Sequence, residues 1–194
     1  SALFTNINGE FNTATGYQAL FNNTGGIQNT ATGVQALFSN TNGVQNTAVG
    51  DDALRNNTEG TANTATGYGA LLSNTEGNAN TANGITALTS NTSGQTNPAI
   101  GTGALRANTT ASQNTATGGF ALENNTNGSQ NTAAGYRALQ NNISGEGNTA
   151  IGFQAHFNNT TGNVNVALGR DAGSNVTGTG NICIVSPGEA AVNN

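Results

Sequence analysis

Charge is scarce in this chain: only 7% of its 194 residues are Asp, Glu, Lys or Arg, against roughly 25% in ordinary soluble domains. Four Lys and Arg residues cannot line a basic stripe, so no nucleic-acid partner is expected. One Cys and one His leave no intrachain disulfide and no ready nucleophile–base pair to assemble. No apolar run approaches the roughly 20 residues that cross a bilayer as a helix, so no membrane span is expected. Met and Trp are missing altogether, and no signal peptide is visible after Ser1. So little Cys and Met suits an exposed extracellular or cell-surface setting. Leu, Ile, Val and Phe together fall below the roughly 20% that accompanies disorder, but that signature also needs high net charge. Here the net charge is −5.

What the chain does have is a period. Asn12, Asn29, Asn46, Asn63, Asn80, Asn97, Asn114, Asn131, Asn148 and Asn165 each open a 17-residue unit. The first two full units read NTATGYQALFNNTGGIQ and NTATGVQALFSNTNGVQ. A unit this short cannot bury a face alone, so each one is read as a single coil of a solenoid. Two Gly and several Asn and Thr per unit argue against helix. The expected fold is therefore all-β, a parallel β-solenoid or β-roll of about ten to eleven coils over residues 1–181. Residues 182–194 are read as an irregular C-terminal end, or a junction to a further subunit or domain.

Aligning the units separates their columns. Position three is Ala, position five Gly and position eight Ala in all ten units. Position nine is Leu eight times before His156 and Gly173 break the column. Small residues at three, five and eight fit a flattened roll with closely spaced walls. They place Ala14, Gly16, Ala19, Ala31, Gly33, Ala36, Ala48, Gly50, Ala53, Ala150, Gly152 and Ala155 in its interior. Asn-Thr-x-Gly stretches such as Asn23–Gly26 and Asn40–Gly43 are read as turns, where Gly and Asn tolerate left-handed backbone angles. Stacked coils also set Asn above Asn, so amide ladders are expected along the axis.

Side chains alternate across a strand, so positions two and four share the face opposite position three. One Leu and two Ala per coil bury little apolar surface, which predicts a second burial surface supplied by identical chains, as a homotrimer. The candidate chain–chain face is Thr13, Thr15, Thr30, Thr32, Val49, Ile100, Ile151, Val166 and Leu168, growing more apolar toward the C-terminus. The exposed aromatics Tyr17, Phe21, Phe38, Tyr68, Tyr136 and Phe157 are expected to pack between chains or meet a surface or glycan.

The core NTAIG at Asn148–Gly152, with NTAVG at Asn46–Gly50 and NVALG at Asn165–Gly169, resembles the S-V-A-I-G-like motif of trimeric autotransporter adhesin heads of the Yersinia adhesin type. That resemblance implies a left-handed parallel β-roll with three chains side by side, Ala and Gly inside each roll, and positions two and four toward the trimer axis. Two departures stand out: the unit is 17 residues rather than about 14, and Thr often replaces the apolar axis residues. Longer units such as NTATGYQALFNNT also resemble bacterial surface proteins and phage-type tail fibres that end in a self-cleaving chaperone domain. The resemblance thus implies a fibre shaft or head, on a cell surface or a virion.

Ala2-Leu3-Phe4 matches Ala19-Leu20-Phe21, and Asn165 to Asn181 spans one residue less than the period. The pattern therefore opens in mid-coil and loosens at its end, as expected of a piece of a longer fibre or of subunits stacked end to end.

Chemistry is sought without result, so no cofactor, metal or catalytic set is expected. His156 is read as a tolerated edge or surface side chain and Cys183 as a small apolar residue. Asp51, Asp52 and Asp171 are isolated acids, and Glu59 and Glu76 are solvated turn carboxylates too few for Ca²⁺. Sequons at Asn22, Asn56 and Asn158 fit the glycosylation pattern. The rival function is ice binding through Thr-x-Thr ranks at Thr13/Thr15, Thr30/Thr32, Thr64/Thr66 and Thr115/Thr117, which Val49, Asn83, Ile100 and others interrupt.

Overall fold

The computed structural model describes residues 1–184. Eleven three-residue strands, from β1 (Thr13–Thr15) to β11 (Ile182–Ile184), form one parallel sheet whose order follows the chain. No helix is present among the described residues. Thr13 pairs with Thr30, Thr30 with Thr47 and Thr47 with Thr64, so seventeen residues make one circuit and the fold is a β-solenoid of about ten turns. The strands form where β-branched residues flank Ala.

The parallel ladder continues around the coil beyond the strands. The N–H groups of Leu20, Asn22 and Thr13 donate to the carbonyls of Ala36, Phe38 and Asn29 on the next coil, at 3.0, 2.9 and 2.8 Å. Those of Gly33, Gln35 and Gln28 donate backward, at 2.9, 2.8 and 3.0 Å, to Thr15, Tyr17 and Glu10. Corners are made by left-handed residues between these rungs. Gln35 (φ 55°), Leu37 (φ 51°) and Gln45 (φ 58°) recur at equivalent positions in nearly every coil. Each such non-Gly residue costs roughly 1–2 kcal/mol, and the rungs on either side hold it in place.

Two Ala, one Leu and two Asn of a typical coil fill the interior, with His156 and Gly173 replacing the Leu in the last two. Ala36, Leu37, Ala48, Asn40 and Asn46 are all fully buried, as are their equivalents in the coils between the two ends. Each buried Leu contributes about 2 kcal/mol. The Asn residues form two continuous ladders. Asn57 Nδ2 donates to Asn40 Oδ1 at 2.8 Å and to the Gly60 carbonyl at 3.0 Å. Asn63 N–H and Nδ2 donate to Asn46 Oδ1 at 3.0 and 3.2 Å, and Nδ2 also reaches the Gly77 carbonyl at 2.7 Å. These amides meet the need of a buried polar group for partners.

Four expectations are corrected. Gly16, Gly33, Gly50 and Gly152 do not line the interior: Gly16 is exposed and the others half-buried, at the corner after each strand. Gly is needed there for φ near +130° and for close stacking, since a Cβ on Gly50 would lie 2.7 Å from the Gly67 carbonyl oxygen. The turn glycines Gly26, Gly43 and Gly60 have ordinary φ; a Cβ on Gly60 would sit 2.6 Å from Asn74 Nδ2, so close approach and not handedness selects them. His156 is not at the surface but fully buried in the Leu column. The solenoid also runs past residue 181: Ile182–Ile184 pairs with β10 (Val166–Leu168), Val166 facing Ile182 and Cys183 facing Ala167. The missing residue of that coil is absorbed in the loop before Asn181. Residues 185–194, the rest of the anticipated irregular end, lie outside the described residues.

Candidate functional site

The outward face of the eleven-stranded sheet runs the length of the described solenoid. Ala31, Ala48 and their equivalents turn inward at position three; Ala14, in the first strand, is half-buried. Positions two and four therefore point away from the core. Thr13, Thr15 and Thr32 are exposed, and Thr30, Val166 and Leu168 half-buried. Val49, Ile100 and Ile151 are 40%, 46% and 46% exposed, in the same rank as Ile184 at 61%, while Ile182 at 50% stands in the neighbouring rank with Val166. All of the anticipated face residues thus share one in-register surface, with Thr dominating its N-terminal half and branched apolar residues its C-terminal end. Pro98, at the start of β6 (Pro98–Ile100), has no N–H to donate, and the pairing with the next strand begins at Ala99 instead.

The aromatics occupy other corners and behave differently from one another. Phe4, Phe21 and Phe38 stack along the axis at 4.9 and 5.4 Å, with Arg55 above Phe38 at 6.0 Å. Tyr136 stacks on Phe153 at 5.7 Å, with Arg137 and Arg170 over the two rings. Rings stacked this way turn edges and not faces outward, so Phe21 and Phe38 serve the solenoid itself. Tyr17 and Tyr68 stand 63% and 58% exposed.

The acids have structural partners or face solvent. Asp51 accepts the Val34 N–H at 3.0 Å, Asp52 faces Arg55 at 3.6 Å, and Asp171 accepts from Arg170 at 3.3 Å. Glu59 and Glu76 are exposed. Glu123, which the sequence reading passed over, is nearly buried; it pairs with Arg106 at 2.7 Å and accepts a short hydrogen bond from Gln140. No group of three His, Cys, Asp or Glu side chains gathers among the described residues. Sequon residues Asn22 and Asn56 are half-buried and Asn158 exposed, whereas Asn23, Asn57 and Asn159 beside them are locked in the interior ladder.

His156 and Cys183 are the interior's exceptions. Burial pushes the His156 imidazole below its ordinary value, opposed by the contact of its Nδ1 with the Gly173 carbonyl at 3.1 Å. Burial pushes the Cys183 thiol up, away from the thiolate that reactive cysteines need. Compared with known protein families, curated proteins and solved structures, the chain matches none.

Proposed function

We propose that this chain is a non-enzymatic structural repeat protein, a segment of an extracellular fibre or adhesin-like head that associates with copies of itself through the outward face of its sheet. One observation carries this reading. The solenoid pairs its buried Asn amides internally, yet leaves branched apolar side chains on its outward face open to water: Val49, Ile100, Ile151 and Ile184 at position four, interspersed with Thr66, Asn83, Thr117 and Ala134, and Ile182 at position two. Exposed apolar ranks on a regular surface favour association. A trimer with this face toward a common axis covers all three copies of the rank, and agrees with the adhesin-head resemblance of NTAIG and NVALG. The same architecture suits a tail-fibre shaft on a virion. The partner is thus first of all another copy of the chain, and a host surface or glycan second, through Tyr17 and Tyr68.

Light scattering on the purified chain tests this. A mass of three chains, falling to one in I100D/I151D, supports the reading. A single-chain mass for the unaltered protein at all concentrations overturns it.

A second reading rests on the same face. Thr13/Thr15, Thr30/Thr32 and Thr64/Thr66 lie in register, all exposed except the half-buried Thr30, the arrangement an ice-ordering surface uses. Thermal hysteresis with ice shaping at micromolar protein, lost in T30Y/T64Y, favours it over self-association.

A further inference from the structure

All three tyrosines of the chain, Tyr17, Tyr68 and Tyr136, stand at position six of their units. Position six follows the corner Gly, so in every coil it lies two residues beyond the outward side chain of position four, with no side chain between them. The coils keep their register here. The Gln35 N–H donates to the Tyr17 carbonyl at 2.8 Å, and Tyr136 stacks on Phe153 at 5.7 Å. Positions four and six therefore make two ranks that run side by side along the solenoid.

The two ranks complement each other coil by coil. Thr66 is followed by Tyr68 and Asn83 by Ile85, whereas Ile100 is followed by Thr102 and Leu168 by Arg170. In eight of the ten units one of the two positions, and not the other, holds a large apolar or aromatic side chain. The exceptions are Thr117 with Gly119, which hold none, and Ile151 with Phe153, which hold two. Those at position six are 42–63% exposed. Packing within the chain does not call for them, because Asp51, Thr102 and Gly119 occupy the same column. Ranks in unlike surroundings have no reason to share out their apolar groups in this way.

On the reading of this chain as a self-associating rod, we propose that the contact surface spans the Gly corner, so that a second copy of the chain covers ranks four and six together and takes an apolar side chain from either. Composition fits the core of an interface, which is rich in aromatics and poor in charge. Asp51 and Arg170 are the only charged residues in the two ranks. Area fits as well. Aromatic side chains bury about 150–250 Å² each when enclosed, so the half-exposed Tyr17, Tyr68, Tyr136 and Phe153 offer roughly 400 Å². That is about half of the ~800 Å² that each partner gives to a standard interface, and the branched residues of both ranks add to it. Apolar groups that recur at the coil rise of about 4.8 Å are matched by a surface with the same rise, which another copy of this rod provides.

Moving apolar groups from one rank to the other tests this. Y68S/I85S strips two neighbouring coils of their exposed apolar side chains and leaves rank four untouched. Ser is tolerated in a column that holds Thr102 and Gly119. In light scattering over a dilution series, Y68S/I85S needs roughly tenfold or more protein than the unaltered chain to assemble, the cost of losing a central aromatic. Adding T66I/N83I to that variant restores assembly, because rank four then serves in place of rank six. Tyrosine nitration reads the same surface independently: Tyr17 and Tyr68 are protected in the assembled protein and react in monomeric I100D/I151D. Three results overturn the wider surface while leaving self-association standing: tyrosines that react as fast in the assembled protein as in I100D/I151D, Y68S/I85S that assembles like the unaltered chain, or no rescue by T66I/N83I. A single-chain mass for the unaltered protein at all concentrations overturns both.

Discussion

At the scale of single residues, buried amides and stacked glycines do the work that large apolar side chains do in globular cores. Asn57 donates to Asn40 and Gly60 and accepts from Asn74 at 2.8 Å. Asn57→Ala therefore orphans partners above and below, at roughly 1–3 kcal/mol each, and is expected to lower the urea midpoint sharply. Asn57→Asp is worse at neutral pH, because a carboxylate offers no donor to Asn40 Oδ1 or the Gly60 carbonyl. Part of that loss returns on acidification, as the Asp protonates and regains an O–H. The buried imidazole behaves in the opposite sense. The His156 value is lowered by burial in the folded chain, so the unfolded chain binds the proton first. Stability is then full above the unfolded value of about 6.5 and declines as pH falls from there toward the lower folded value. The H156L variant is expected to lose this acid sensitivity and gain stability, since an orphaned buried nitrogen is replaced by the Leu of the other coils. Denaturation midpoints across pH 5–8 check both statements.

At the scale of the coil, the repeat made the architecture legible while leaving its corners obscure. A 17-residue period with Ala at position three in every unit announces parallel, in-register strands, because any slip would turn Ala outward. The chain also signalled Asn ladders, but not which Asn joins them. Asn22 and Asn23 are adjacent and identical, and only Asn23 is buried, because its neighbours in space are Asn6, Asn40 and Gly26. Nor did Leu at position nine hint at a left-handed backbone. Leu has no preference for it, and the conformation is imposed by rungs to both neighbouring coils. The outward face was readable from alternation alone, whereas the meeting of His156 and Cys183 was not. Their 27-residue separation becomes proximity through the pairing of Cys183 with Ala167 and the missing side chain of Gly173. Because coils touch only their neighbours, damage stays local. Gly50→Ala, forced into a Gly-only conformation against the Gly67 carbonyl, is expected to cost about 2 kcal/mol or more. Hydrogen exchange should rise in the third and fourth coils while the C-terminal coils stay protected.

At the scale of the whole molecule, the described chain is a stack of coils tied together by buried Asn ladders, with one face that graduates from Thr to Ile and Leu. The exposed side chains of Val49, Ile100 and Ile151 are those on which the proposed self-association rests. Several rods joined along that face would share one axis, keeping the coil rise of about 4.8 Å while multiplying the mass carried per rise. Mass per unit length, from scattering on the purified protein, therefore tests the central claim most directly. The account predicts three 17-residue coils for every rise of about 4.8 Å, dropping to one in I100D/I151D. One coil per rise in the unaltered protein would contradict it.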